Sequence, residues 1–313
     1  MTPAISVRGL HKSYGDYEAV RGIDFTVEPG EAVAFLGPNG AGKTTTVEIL
    51  EGYREPSSGT VEVLGLSPTA AGAQLRRRVG IVLQEAGFPE ELTVEELVEA
   101  WRRFYARPRP ADEVIVAVGL EDRRRVRAKN LSGGESRRLD LALGIVGQPE
   151  VLFLDEPTTG FDPSARRSAW ELIDGLVQEG MTLFLTTHYL DEAQRLADRI
   201  LIIAAGQMVA EGSPEEIGGR ESAPGTIRFT LPPGATAADL PQLPPDTTVQ
   251  YDEDQVAITA HQLVAATHTL TGWALERSLD LVGFRVERRT LEDTYLAIIG
   301  DTGPAAGGVA GAG

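Results

Sequence analysis

The sequence contains no cysteine, which excludes disulfide scaffolds, thiolate nucleophiles and Cys-ligated metals and is compatible with a reducing compartment. Histidine is nearly as scarce. His11, His188, His261 and His268 are the only four, and no two stand at i,i+3 or i,i+4, so a His-based metal site is not expected. Long hydrophobic runs are also missing. The opening MTPAISVRGLHKSYG lacks the apolar core of a signal peptide, and the aliphatic stretch from Ile200 to Ala205 falls far short of the ~20 residues that span a bilayer. The chain by itself is therefore expected to be cytosolic. Positive charge is in deficit: 29 Lys and Arg face 46 Asp and Glu, a net charge of −17, which repels a nucleic-acid backbone over most of the surface, and no nucleic-acid partner is expected. Arg76 to Arg138 is the exception, with fourteen basic against eleven acidic residues, and must face something different.

What is present suffices for a core: 313 residues, 42% hydrophobic and 24% charged. Short aliphatic runs alternate with helical patterns, the signature of an α/β domain with a largely parallel sheet. AISVRGLHKSY and AVRGIDFTVEPG read as antiparallel strands, and EAVAFL as a buried strand. Thr93 and Glu96 form a capping box ahead of ELVEAWRRFYAR, and residues 93–148 read as a helical insertion. VLFLD and TLFLTTH read as buried parallel strands with a helix over Ala165 to Gln178 between them, and RILIIAAGQMVAEG as a hairpin turning near Gly206. Beyond about residue 220 the Pro-rich LPPGATAADLPQLPPD suggests a boundary or a long loop. TTVQY, QVAIT, a helix over Gln262 to Arg277, GFRVER and LEDTYLAII then make a small α+β appendage over 221–300, followed by a Gly/Ala-rich tail, 301–313, expected to be disordered.

GPNGAGKTT, residues 37–45, matches the phosphate-loop pattern GxxxxGK[ST] and lies between a buried strand and a helix beginning near Lys43. Gly37, Gly40 and Gly42 let the backbone of Pro38, Asn39 and Ala41 curl so that successive N–H groups point inward at the positive end of a helix. Lys43 can reach β- and γ-phosphates, and Thr44, beside Thr45, can offer its hydroxyl to Mg²⁺. Asp155-Glu156 closes the strand VLFLD at its carboxyl end, where ligands of parallel sheets sit; if the two strands are neighbours, Asp155 would orient Mg²⁺ and Glu156 would polarise the attacking water. Alone, such an acidic pair could equally be an ordinary turn.

LSGGE, Leu131 to Glu135, has a plain reading as well, since Ser132 and Glu135 make a capping box with Gly133 and Gly134 between them. After a phosphate loop and shortly before VLFLDEP, however, the string resembles the signature of ABC-type ATPases, and the other pieces follow in that family's order over about residues 4–218. The resemblance implies a P-loop NTPase core with a mixed sheet, an antiparallel β part and a helical insertion, about residues 1–220. It implies that Tyr14 in KSYG stacks on adenine, that Gln84 in VLQ is the Q-loop glutamine and a Mg²⁺ ligand, that Asp162 in TTGFDP is the D-loop aspartate, and that His188 is the switch histidine. On their own, Tyr14 and His188 could equally be a packed surface aromatic and a strand-end hydrogen-bonding residue. It further implies a head-to-tail dimer, of like or unlike ATPase subunits, in which Leu131 to Glu135 meet ATP bound to the partner. Glu135 stands where the family usually has Gln, and Phe161 where it usually has Leu.

Each motif occurs once and no long heptad stretch exists, which favours the ATPase subunit of a transporter whose permease is a separate membrane chain, at the cytoplasmic face of the membrane. TTHYLDEAQRLADRI and TLEDTYLAIIG resemble the daunorubicin-resistance branch of drug exporters. In transporters of this type the Q-loop and helical insertion contact the permease, which makes the arginine-rich section a docking face; an ordinary solvated face remains the alternative. The appendage is expected to add dimer contact or to serve as a regulatory ligand module, with His261 and His268 structural. A soluble ATPase acting on a macromolecular complex is the competing function. A guanine-reading NKxD is excluded, because none of Lys12, Lys43 and Lys129 follows Asn.

Overall fold

The computed structural model describes residues 2–83, 87–218, 224–232, 235–288 and 291–302. Gln84 and the expected tail from residue 303 onward lie outside them. The chain divides into two compact units, one reaching Pro214 and including the described residues from Ile298, the other spanning Glu215 to Ala297. The division comes a few residues before the change in composition near 220.

In the first unit, β1 (Ile5–Tyr14) and β2 (Tyr17–Val27) pair antiparallel as expected. Next come β3 (Ala32–Leu36), α1 (Lys43–Leu50) and β4 (Ser58–Val63), then α2 (Gly72–Leu75) and β5 (Val79–Val82). Helices α3 (Val94–Arg102), α4 (Ala111–Ala117) and α5 (Gly133–Ile145) follow, with no strand between them among the described residues. The chain returns through β6 (Val151–Asp155), α6 (Pro163–Gln178), β7 (Thr182–Thr186), α7 (Leu190–Leu196) and the hairpin β8 (Arg199–Ala204) and β9 (Gln207–Gly212). Strands β2-β1-β4 form one antiparallel sheet; β5-β6-β7-β3-β8-β9 form the other, parallel except for β9. Strands β4 and β5 carry no expectation from the sequence: one presents only Val61 and Val63 to the core, and the other is four residues long.

Parallel strands covered on both faces read as unbroken apolar runs, and β3 and β7 are buried along all five of their residues. The two sheets meet through stacked rings. Phe184 of β7 lies 5.9 Å from Phe25 of β2, 5.6 Å from Phe35 of β3 and 6.0 Å from Phe153 of β6, centroid to centroid. Both capping boxes form: Thr93 Oγ1 accepts from Glu96 N–H, Ser132 Oγ from Glu135 N–H, and each Glu carboxylate accepts from its cap's own N–H.

The second unit opens in α8 (Pro214–Ile217) and builds an antiparallel sheet, in the order β11-β12-β10-β13, from β10 (Gly225–Thr230), β11 (Thr247–Asp252), β12 (Gln255–Ala260) and β13 (Arg285–Glu287). Helix α9 (Leu263–Glu276) lays Leu263, Ala266 and Leu270 on Ile227, Phe229, Val256 and Ile258. Helix α10 (Leu291–Thr302) is the last described element and carries two residues that the sequence assigned to the tail.

Two stability predictions arise here. Phe184→Ala removes the ring on which Phe25, Phe35 and Phe153 converge and should cost about 3–5 kcal/mol in the urea unfolding transition of the first unit. Glu51, which ends α1, is 5% exposed and neither of its carboxyl oxygens has a hydrogen-bond partner; burial, reinforced by the charges of Asp155 and Glu48, pushes its pKa to about 8. A carboxyl raised above its ordinary value binds its proton more tightly in the folded chain, so stability falls as pH rises from the ordinary carboxylate range toward 8. Glu51→Gln should raise the melting temperature at pH 8 and leave it nearly unchanged at pH 5.

Candidate nucleotide site

β3 delivers the chain to the carboxyl edge of the parallel sheet, and residues 37–42 turn there into α1. Gly42 takes φ +106° with Ala19 O only 2.6 Å from where a Cβ would lie, and a Cβ on Gly37 would lie 2.3 Å from Ile203 O. The loop is thus pressed against β2 and β8 by backbone, with no room for side chains at either glycine. Gly206 N–H donates to Ala41 O at 3.0 Å, and Tyr17 Oη donates to Gly40 O at 3.2 Å, fixing the crest. Lys43 Nζ donates back to Gly37 O at 2.6 Å and Pro38 O at 3.0 Å. Burial lowers the pKa of its ammonium, and the nearby Glu156 and Asp155 carboxylates oppose that fall.

A cavity of about 610 Å³ opens over the loop. Tyr14, Asn39, Gly40, Gly42, Lys43, Thr44, Thr45, Asp155, Glu156 and His188 all line it, so one surface gathers ten of the residues singled out in the sequence. The condition that the strands of the loop and of the acidic pair be neighbours is not met, because β7 stands between β3 and β6. The carboxylates still reach the cavity, since parallel strands bring all their carboxyl ends to one edge.

Each acidic residue is held from a neighbouring strand. Asp155 accepts a hydrogen bond from the Thr186 hydroxyl at the end of β7. Glu156 has φ +48°, unusual for a residue with a Cβ, and its N–H donates to Thr186 O at 3.0 Å. Its carboxylate accepts from Thr159 Oγ1 at 3.2 Å and lies 3.3 Å from His188 Nδ1. Tyr14, 40% exposed, has Lys12 Nζ 5.3 Å and the Arg54 guanidinium 5.5 Å from its ring centre. Sequence reasoning missed Tyr17 and Thr186. Tyr17 opens β2 and belongs to no motif, while Thr186 is legible only as part of a strand.

The signature segment and Asp162 do not line this cavity. Ser132 and Gly133 are exposed at the start of α5, and Asp162 caps α6 by accepting from Ser164 N–H at 2.8 Å and Ala165 N–H at 3.0 Å. Glu135 accepts from Ser132 N–H and from Arg123 Nε at 2.6 Å, and these bonds hold its carboxyl at about 2. Phe161 is buried. Among the described residues no group of three or more His, Asp or Glu side chains has metal-binding geometry, and no helix is long and apolar enough to cross a membrane.

Residues 20–159 match the ABC transporter family, and residues 225–290 match the C-terminal domain described as ABC transporter domain-containing protein-like. The daunorubicin resistance ATP-binding protein DrrA3 of Streptomyces coeruleorubidus is 38% identical over 312 residues, covering 95% of this chain and 96% of that protein. The daunorubicin/doxorubicin resistance ATP-binding protein DrrA of Streptomyces peucetius is 38% identical over 96% of this chain and 93% of its own length. The Nod factor export ATP-binding protein I of Burkholderia orbicola (strain AU 1054) is 40% identical but covers 68% of this chain and 72% of that protein. Among solved structures, an ATP-binding subunit of an ABC transporter superposes with a TM-score of 0.64 at 26% identity, over 70% of this chain and 93% of its own. CbiO1 from Clostridium perfringens, part of the ABC transporter complex cbiONQ, superposes with a TM-score of 0.61 at 27% identity, over 69% and 91%. With this likeness sustained along nearly its whole length, the chain belongs to the family of ABC transporter ATP-binding proteins, and it is an ATPase of that family.

Proposed function

We propose that this chain is the ATP-hydrolysing subunit of a drug or small-molecule exporter whose membrane-spanning part is a separate permease. One observation carries the choice of branch: the alignments with the drug-resistance proteins run over 95% and 96% of the chain and therefore take in the second unit, whereas the Nod factor alignment covers 68%.

In this reading the phosphates of ATP lie in the loop of residues 37–45, where inward N–H groups and Lys43 meet their charge, and the purine rests on the face of Tyr14. Mg²⁺ is usually held by one or two carboxylates together with phosphates, water and other oxygen donors, which suits an Asp155 carboxylate and a Thr44 hydroxyl on one cavity wall; Gln84 is the third proposed ligand. Bound there, the ion neutralises charge on the transferred phosphoryl group. Glu156 orients and polarises the attacking water, and His188, 3.3 Å from it, donates to the γ-phosphate. The exposed Ser132 and Gly133, with Gly134, meet the ATP of a second ATPase subunit facing head to tail, so that ATP both binds and joins the subunits. Asp162 sits at that seam.

Docking to the permease is supported by a second cavity of about 380 Å³, where Tyr53, Arg76, Arg77, Trp101, Phe104 and Tyr105 gather. Phe104 is 71% exposed, a large apolar ring of the kind that marks a partner surface. Much of the remaining basic section is engaged within the chain: Arg78 pairs with Glu150, Arg109 with Glu179, Arg124 with Asp112 and Lys129 with Glu91. The docking face in this reading centres on Arg76, Arg77 and the aromatic residues beside them, at the cytoplasmic surface of the membrane.

Lys43→Ala should reduce ATP turnover by at least about 100-fold, because the phosphate charge loses its cation; near-normal turnover in a phosphate-release assay would overturn the site. Glu156→Gln should retain ATP binding, stall hydrolysis and accumulate dimer with ATP and Mg²⁺ in size-exclusion chromatography with light scattering. The same variant, tagged and recovered from detergent-solubilised membranes with ATP, should bring down a multi-spanning protein. Recovery of soluble complexes alone would favour the permease-free ATPase.

A further inference from the structure

Arg137, on α5 five residues beyond the Ser132 cap, belongs to none of the recognised motifs and is only 8% exposed. Its guanidinium is spent on backbone. Nη2 donates to Asp155 O at 2.6 Å and Glu156 O at 3.0 Å, Nε donates to Pro157 O at 3.3 Å, and Nη1 donates to Leu83 O. Asp140, one turn along α5, faces it at 3.8 Å. One side chain thus joins α5 to the end of β6 and to the residue before Gln84, just past the end of β5.

Three successive carbonyls can turn toward one group only where the backbone bends around it, and the bend is centred on Glu156 at φ +48°. A left-handed conformation at a residue with a Cβ is strained and persists only when its surroundings over-determine it. Here the Glu156 N–H is held by Thr186 O, and the Glu156 C=O accepts from Arg137 at 3.0 Å and more loosely from the Thr159 N–H at 3.3 Å, which fixes both peptide units and hence the direction in which the carboxylate leaves the chain. That carboxylate lines the nucleotide cavity beside His188. A planar fork can bridge carbonyls on two strand ends at once, whereas a lysine ammonium is a point charge on a flexible stem.

We propose that Arg137 is a positioning residue for ATP hydrolysis: it holds the Glu156 backbone in the geometry that aims the carboxylate into the nucleotide cavity and ties that geometry to the helix bearing the signature segment. The proposal rests on the reading of Glu156 as the group that polarises water. A shift of α5 when Ser132 meets a partner's ATP moves Arg137 and, with it, the carbonyls on which Glu156 is set.

Arg137→Lys and Arg137→Gln test it in the full chain, with rates referred to nucleotide-competent protein counted by ATP titration. The expected result is a loss of kcat of about 10- to 100-fold with ATP affinity and KM within about threefold of the parent, the size expected from a small misplacement of a reacting group. In single-turnover measurements the same changes should add little further loss in a Glu156→Gln background, because the group that Arg137 positions is already gone. Unchanged kcat in both variants overturns the proposal. So does a loss that multiplies with that of Glu156→Gln, or an ATP affinity that falls in step with kcat, which assigns Arg137 to the folding of the site. Normal turnover by Glu156→Gln itself would instead remove the reading of Glu156, and is seen without any change at Arg137.

Discussion

A chain with a net charge of −17 can hold a triphosphate only where its own carboxylates are locally outweighed, and the first unit is built around that requirement. In the proposed site the counter-charge comes from backbone N–H groups and from Lys43, an ammonium that burial makes harder to keep charged and that Glu156 and Asp155 help to keep so. The same two carboxylates would repel phosphate, and in the proposed function they face a cation and a water instead. The site therefore depends on close spacing of opposite charges on rigid supports. Fully buried β3 and β7, packed through Phe35 and Phe184, provide that rigidity.

The parallel sheet explains why residues more than a hundred positions apart converge. Loop, acidic pair and histidine follow β3, β6 and β7 respectively, and all three strands run the same way in register, Val33 beside Phe184 and Phe184 beside Phe153. Intervening strands do not matter to this logic; only the shared edge does.

Legibility in the sequence followed how local each determinant is. The strand, glycine-rich loop and helix over residues 32–50, the two capping boxes and the aliphatic strands are written in short local stretches, and the structure forms each of them. The short strand β5 was hidden because a four-residue parallel strand has no periodicity of its own and is defined by β6 beside it. Strand β10 does carry a local pattern, Ile227 and Phe229 alternating with Arg228 and Thr230, but it is short and runs straight into a proline-rich stretch that reads as a boundary. Within the candidate site, Lys43 stands out through the glycine pattern that leads into α1, and Asp155 and Glu156 because they close an apolar strand. Thr186, Tyr17 and Arg137 act through hydrogen bonds to backbone or side chains distant in sequence, a kind of information that spacing does not carry.

The departures from the usual family pattern look different once their surroundings are known. A glutamate in place of glutamine at position 135 would place a bare negative charge next to the glycines proposed to face a partner's phosphate. Its carboxylate instead accepts from the Ser132 N–H and from Arg123, and a pKa of about 2 means that it is ionised, and so able to keep both bonds, throughout the physiological range. A glutamine could make the cap but not the ion pair. Arg123 thus supplies the positive charge that the substitution calls for, and α5 begins with its first turn pinned to the chain before it. Because Arg137 lies just beyond Glu135 on the same helix, the Glu135–Arg123 pair anchors the very segment from which Arg137 reaches the Glu156 backbone.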